Sequence, residues 1–355
     1  MRAADFDFDL PDELIAQRPV AERDQSRLLV LDRRTSTVSH RHFSDLTDFF
    51  APGDVLVLNN SRVIRARLHA VNANSGGAFE LLLLEENALN DWWVMLRPGK
   101  RGRIGTQMVL RDPGGGPTGI TATVVETNAE GHRRVSFSGA NDIKDALDQI
   151  GTIPLPPYIT RAAASADAER YQTIYAAIDG SVAAPTAGLH FTEPVLDRLR
   201  SKGVEVCFVT LHVGLGTFAP VKSEDLANHT MHEERFEVPE QTAAAIRRAK
   251  QDGRRVVGVG TTTVRVLESV AQANHGELVG GGGRTRIFIH PPFSFRIVDA
   301  LVTNFHLPRS TLLMLVSAFA SPGQLQGREC VLAAYAEAVR EKYRFYSYGD
   351  AMLLL

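Results

Sequence analysis

Three short segments of this 355-residue chain combine histidine, glycine and hydroxyl side chains in a way that packing alone seldom requires. In SVAAPTAGLHFT, Ser181 to Thr192, Pro185 and Gly188 break regular structure and leave His190 just ahead of a helix start. The positive end of a helix depresses an imidazole pKa and can receive an anion, so His190 is a candidate base or carboxylate binder. The competing reading is a loop histidine held by hydrogen bonds. In TLHVGLGTF, Thr210 to Phe218, His212 stands at the end of a buried strand, and Gly214 and Gly216 let a ligand approach the backbone closely. The GLG there falls short of a full dinucleotide fingerprint. In NHTMHEER, Asn228 to Arg235, His232 and Glu234 lie two residues apart, and a histidine near a carboxylate is how a general base is oriented. The spacing is not HExxH and no thiolate assists, so no metal is expected.

Two further strand ends carry polar groups. VGVGTTTVRVLES places Thr261 and Thr262 after a glycine turn, where backbone donors and hydroxyls can hold a carboxylate or a ribose. VDALVTNFHLPRST offers Asp299, Asn304 and His306 around another strand. For polyanions the candidates are Arg62 and Arg65, close together with no intervening acid, and Lys100 and Arg101 in the turn RPGKRGR.

These groups need a scaffold, and the length is a prior for two folding units. From residue 65 to residue 150, short apolar or alternating runs (ARLHAV, AFELLLL, WWVML, QMVL, ITATVV, RRVSF) are separated by turn signals, the pattern of a small antiparallel barrel. After PLPPY, helix-length and strand-length runs alternate. Thr192 is suited to cap EPVLDRLRSK, VEVCFVTL reads as a buried strand, RRVVGVG as another, and the threonines of TTTVRVLES as a cap. RIFI and IVDALVTNF also read as strands, and Gly280 to Gly283 as a surface turn. Because DVLVLNN precedes the β-rich stretch, the expected fold is a discontinuous large α/β domain, residues 1–64 and 151–355, with a smaller antiparallel β-barrel domain, residues 65–150, inserted in it.

Composition narrows the function. Thirty-nine basic residues nearly cancel 41 acidic ones, so no large net field draws the chain onto nucleic acid, and any polyanion must meet local patches. Two cysteines, Cys207 and Cys330, give no metal pattern or disulfide framework and are expected as buried apolar fillers. The acidic start MRAADFDFDL lacks the apolar core of a secretion signal, and the longest apolar stretch is too short to cross a bilayer, so a cytoplasmic protein with no membrane partner is expected.

Together the segments match a family. The chain resembles the S-adenosylmethionine:tRNA ribosyltransferase-isomerases of queuosine biosynthesis in ordered blocks from AQRPVAERDQSRLLVLD through GDVLVLNNSRVIRARL, LRPGKRGRIG, GTIPLPPYITR, YQTIYAAIDGSVAAPTAGLHFT and VTLHVGLGTFAPV to YRFYSYGDAMLLL. The resemblance implies an α/β domain with an inserted barrel. It also implies a reaction: the ribosyl part of S-adenosylmethionine moves onto 7-aminomethyl-7-deazaguanine at the tRNA wobble position and rearranges to an epoxycyclopentanediol, releasing adenine and methionine. S-adenosylmethionine is then a consumed cosubstrate, with no prosthetic group, and a monomer is expected. On the matching blocks, His190, His212, His232 and Glu234 are the acid/base candidates, with Asp299 and His306 as orienting partners. Arg23, Asp24 and Arg27 either bind substrate or lock the domain. Asn60, Gly214, Gly216, Thr261, Thr262 and Asn304 are further substrate contacts, and Arg62, Arg65, Lys100 and Arg101 a tRNA groove. An S-adenosylmethionine-dependent RNA methyltransferase is the alternative, weakened by the missing glycine fingerprint.

Overall fold

Alternation decides the main sheet. In the computed structural model, which describes residues 1–214 and 224–355, Val55 and Val57 enter one hydrophobic core while Leu56 and Leu58 enter another. Successive strand residues point to opposite faces, so these are two cores on the two faces of one sheet. It has nine strands in the order Gly281–Thr285, Glu234–Val238, Glu205–Leu211, Val55–Asn59, Val256–Val259, Ala300–Asn304, Ala351–Leu354, Arg27–Asp32 and Thr37–His42. The four from Glu205–Leu211 to Ala300–Asn304 are parallel, which explains their near-continuous apolar sequences. One core takes residues of the helices Glu240–Gln251, Gly260–Ala273, Thr311–Ala320 and Gly327–Arg340; the other takes Val195, Leu196 and Leu199 of Glu193–Ser201.

From Val55–Asn59 the next parallel strand, Glu205–Leu211, lies on one side, and the one after it, Val256–Val259, on the other. Ligands of open α/β sheets bind outside the carboxyl ends of strands at such a reversal.

The insert is a closed antiparallel barrel of six strands, Arg67–Asn72, Ala78–Ala88, Asp91–Arg97, Gln107–Arg111, Pro117–Thr127 and Arg133–Ser138. It closes because Arg67–Asn72 pairs with both Ala78–Ala88 and Gln107–Arg111. Leu68, Leu81, Val94, Leu110, Ala122 and Val135 fill it, and the helix Ile143–Ile150 packs Ile143, Leu147 and Ile150 onto that core. Gly151–Thr152 then pairs with Leu68 and Arg67, bringing the chain out beside its point of departure.

Several local expectations need correction. RIFI is not a strand: the strand is Gly281–Thr285, the glycine run read as a turn, paired to Glu234–Val238. A β-carbon on Gly283 would stand 2.8 Å from the Phe236 ring, so glycine is what lets these strands approach. Thr192 is the residue before its helix but caps nothing, because its hydroxyl donates to Asp24 at 3.1 Å. The threonines of Gly260–Ala273 lie inside the helix, and Thr263 Oγ1 donates to the Val259 carbonyl. Cys207 is buried as expected, whereas Cys330 is only half-buried.

Candidate active site

Between the barrel and the large sheet lies a cavity of about 730 Å³, in the size range of small-molecule sites. The barrel side supplies Glu85, Trp92, Lys144 and Leu147; the connection into the barrel supplies Arg62 and Arg65; the sheet side supplies His212, Gly214, Glu234 and Arg235. It opens at the carboxyl end of Glu205–Leu211, one of the parallel strands.

His212 is the first residue beyond that strand, fixed by its backbone N–H donating to the Arg235 carbonyl at 3.0 Å. Gly180 packs against its ring: φ there is +136°, and a β-carbon would stand 2.7 Å from His212 Nδ1. That nitrogen is buried with no hydrogen-bond partner among the described residues. Burial lowers the imidazole pKa, Arg235 lowers it further and Glu237 opposes, so the ring is neutral at physiological pH and able to take a proton. Glu234, buried at the start of Glu234–Val238, is paired to Arg265 of the helix Gly260–Ala273 and accepts the Gly214 N–H at 3.3 Å. Two strand ends and one helix thus converge on one wall.

The other candidates lie elsewhere. His190 is enclosed, stacked on Phe43 at 5.1 Å, with Nδ1 2.7 Å from Ser26 Oγ and Nε2 receiving Asn304 Nδ2 at 3.1 Å. Burial, with lesser contributions from Arg23 and Arg344, drops its pKa to about 3. Both nitrogens are occupied, so His190 and Asn304 tie three segments together and present no face to a ligand through that ring. His306, also buried with its pKa down to about 3, bonds Thr303 Oγ1 at 2.9 Å. Among the described residues neither Asp299 nor His306 makes a contact with His190, His212, His232 or Glu234, and the two lie at opposite ends of one strand. Asp299 precedes Ala300–Asn304 while His306 follows it, and the five residues of that strand, at about 3.3 Å each, lie between them. Asp299 instead accepts the Val256 N–H and Lys250 Nζ, both at 2.8 Å.

Arg23 donates to the carbonyls of Leu189 and Glu169, Asp24 accepts from Thr192, and Arg27 donates to the Glu341 carbonyl and lies over the Tyr343 ring. These contacts tie the N-terminal segment to the rest of the large domain. Asn60 accepts from Thr210 Oγ1 at 2.7 Å. Thr261 and Thr262 are buried at the start of Gly260–Ala273. His232 is exposed, 4.0 Å from Glu130 of the barrel, and lies outside the cavity. Gly216 lies outside the described residues.

The cationic residues form two groups. Arg62 is exposed at the cavity, and Arg65 there donates to the Asp148 carbonyl at 2.8 Å. Lys100 and Arg101 follow the far end of Asp91–Arg97, about 17 Å along the strand from Trp92. Arg133 holds their turn through the carbonyls of Gly99 and Gly102.

Sequence reasoning missed Gly180, Trp92, Lys144 and Arg265. Gly180 carried a signal, an Asp-Gly step just ahead of a flagged segment. Trp92 reads simply as a strand residue, and Arg265 as one charge on an apolar helix. Among the described residues no three His, Cys, Asp or Glu side chains are grouped to hold a metal, and no helix is long and apolar enough to cross a membrane.

A doubly wound mixed sheet interrupted by a closed barrel, with a polar cavity between the two, defines an α/β enzyme whose site is walled by both folding units. The family model described as "Queuosine biosynthesis protein" matches residues 3–354, and the chain belongs to that family. Relatives named S-adenosylmethionine:tRNA ribosyltransferase-isomerase are 52% identical in Syntrophotalea carbinolica, 50% in Citrifermentans bemidjiense and 48% in Clostridioides difficile, each match covering all of both chains. The solved S-adenosylmethionine tRNA ribosyltransferase of Thermotoga maritima is 39% identical with a TM-score of 0.56, over 99% of this chain and 100% of that one. These relatives agree with the ribosyltransferase expectation and not with the methyltransferase alternative.

Proposed function

We propose that the chain moves the ribosyl part of S-adenosylmethionine onto 7-aminomethyl-7-deazaguanine at the wobble position of tRNA. The group rearranges to the epoxycyclopentanediol of epoxyqueuosine, and adenine and methionine leave. The observation that carries the siting of this reaction is that His212 and Glu234 face one cavity between the two folding units. The sulfonium acidifies the neighbouring carbon, and a buried neutral imidazole is suited to take that proton. Glu234, held by Arg265, supplies a fixed negative charge toward the cation. The uncharged aminomethyl group of the base is the nucleophile, and Arg62 and Arg65 stand where the nucleotide's phosphates pass.

Lys100 and Arg101 meet the tRNA stem farther along the barrel in this reading. The protein acts in the cytoplasm, as a monomer, and S-adenosylmethionine is its cosubstrate. The experiment is incubation with S-adenosylmethionine and tRNA bearing the aminomethyl deazaguanine, following adenine and the digested nucleoside by mass spectrometry. Adenine release dependent on that tRNA, matched by the heavier nucleoside, is expected. S-adenosylhomocysteine as product, or no turnover by folded protein, overturns the reading.

A further inference from the structure

The helix Gly260–Ala273 starts at the carboxyl end of Val256–Val259, at the reversal in strand order, and no side chain caps it. Its first backbone N–H groups, buried and without an intrahelical partner, and the helix dipole favour an anion. On its first two turns, two side chains carry buried polar groups with no partner among the described residues: Thr262 Oγ1, in a residue 6% exposed, and Nε and Nη2 of Arg265, in a residue 2% exposed. Residues three apart share one helix face. Gly260 adopts φ +83°, and Thr262 Oγ1 lies 3.4 Å from where its β-carbon would be, so the hydroxyl folds back over the helix start.

Arg265 uses Nη1 on Glu234. What remains is the Nε/Nη2 edge, two N–H groups pointing the same way at the spacing of the two oxygens of a carboxylate. A guanidinium edge and a hydroxyl buried without acceptors are costly, and proteins keep such groups where something else supplies the acceptor. The charge next door selects the anion. Glu234 repels a dianion such as phosphate and suits a monoanion carrying an ammonium beside it, which is an amino acid. Gly214, whose N–H bonds Glu234, lines the cavity, so the cavity reaches the residue that holds the Arg265 partner.

We propose that the Arg265 edge, Thr262 Oγ1 and the uncapped helix start form a carboxylate site for the amino-acid end of S-adenosylmethionine. This rests on the function proposed above and gives Arg265 two jobs, positioning Glu234 and receiving the carboxylate.

The test is calorimetric binding of L-methionine and of L-methioninol, in which CH₂OH replaces the carboxylate, together with the KM for S-adenosylmethionine. The variants are Thr262→Val, near-isosteric and lacking only the hydroxyl, and Arg265→Lys, which keeps the charge facing Glu234 but loses the edge. The wild-type protein should prefer methionine by about tenfold or more, the scale of a charge-assisted hydrogen bond. Each variant should shrink that preference and raise KM by a similar factor, with kcat changing less. Thr262→Val should be no less stable toward urea. Equal binding of the two ligands by the wild type, or an unchanged preference in Thr262→Val, overturns the proposal. Should Arg265→Lys fail to fold, Thr262→Val decides alone. Methionine preference without turnover of S-adenosylmethionine would sink the proposed function while leaving this site standing.

Discussion

Glu85 of the barrel and Arg284 of the large sheet form an ion pair at the cavity, and Arg284 also reaches Glu233 at 2.9 Å on its own sheet. The three charges bridge the two folding units across the space in which the chemistry is placed. Glu85 and Arg284 are each about half exposed, so the bridge is worth under about 1 kcal/mol. Glu85→Gln should therefore shift the urea midpoint only slightly, and the shift should vanish in about 1 M salt, where charges are screened beyond roughly 3 Å. A large, salt-independent loss would show that the bridge organises the fold.

Gly180→Ala tests the fit against His212. The added methyl meets the imidazole and forces a non-glycine residue to φ +136°. A loss of about 1–3 kcal/mol of stability is expected, with turnover falling more than the folded fraction. Urea titration and initial rates measure the two separately.

His212→Gln should lower kcat by about 10²- to 10⁴-fold, the range for a general base, with little change in the folded state. Because burial lowers the pKa of His212, the acid limb of the wild-type kcat/KM profile should fall below pH 6.5. Loss of that limb in the variant is the signature to seek; an unchanged profile would place the base elsewhere.

His190 and His306 make stability depend on pH. Their folded pKa values, about 3, lie below the ordinary 6.5, so between these values the unfolded chain binds protons that the folded one refuses. Stability is fully present above pH 6.5 and is lost as pH falls, by up to about 1.4 kcal/mol per pH unit for each ring. Asp167, held near 2 by Arg161 and its hydrogen bonds against the cost of burial, loses its contribution only below its ordinary 3.8. Urea titrations at pH 7 and pH 5 should thus show a shallower slope for His306→Gln than for the wild type.

Replacing Lys100 and Arg101 together by alanine should leave stability unchanged, since both are exposed. It should reduce the log–log salt slope of tRNA affinity by about 1 to 2, one step per lost phosphate contact. Leu110→Ala, inside the barrel, should do the reverse, costing about 2–5 kcal/mol while a still-folded sample keeps its slope.

The two-part architecture was legible because its periodicities differ: runs such as VLVLN are apolar and bury every residue, whereas ITATV alternates in residue type and in burial. The tertiary addresses of polar residues were not. Asp299 and His306 are seven apart in one motif, yet an interior strand carries them to its opposite ends. His190 and His212 looked equivalent, and only the neighbours Ser26 and Asn304, distant in sequence, distinguish a ring with both nitrogens bonded from one whose Nδ1 has no partner among the described residues. The GGGR edge strand escaped because its pairing depends on the Phe236 ring lying over glycine, a contact with no local signal.

The strand Ala351–Leu354 lies between Arg27–Asp32 and Ala300–Asn304, so the element that joins two parts of the sheet is synthesised after both. The barrel, contiguous from residue 67 to 152, can close while translation continues. The large sheet must wait with two unpaired edges, which are templates for association with other chains. Vectorial synthesis thus orders maturation: the wall formed by the barrel is ready first, and the two parts of the large sheet are joined only when Ala351–Leu354 docks.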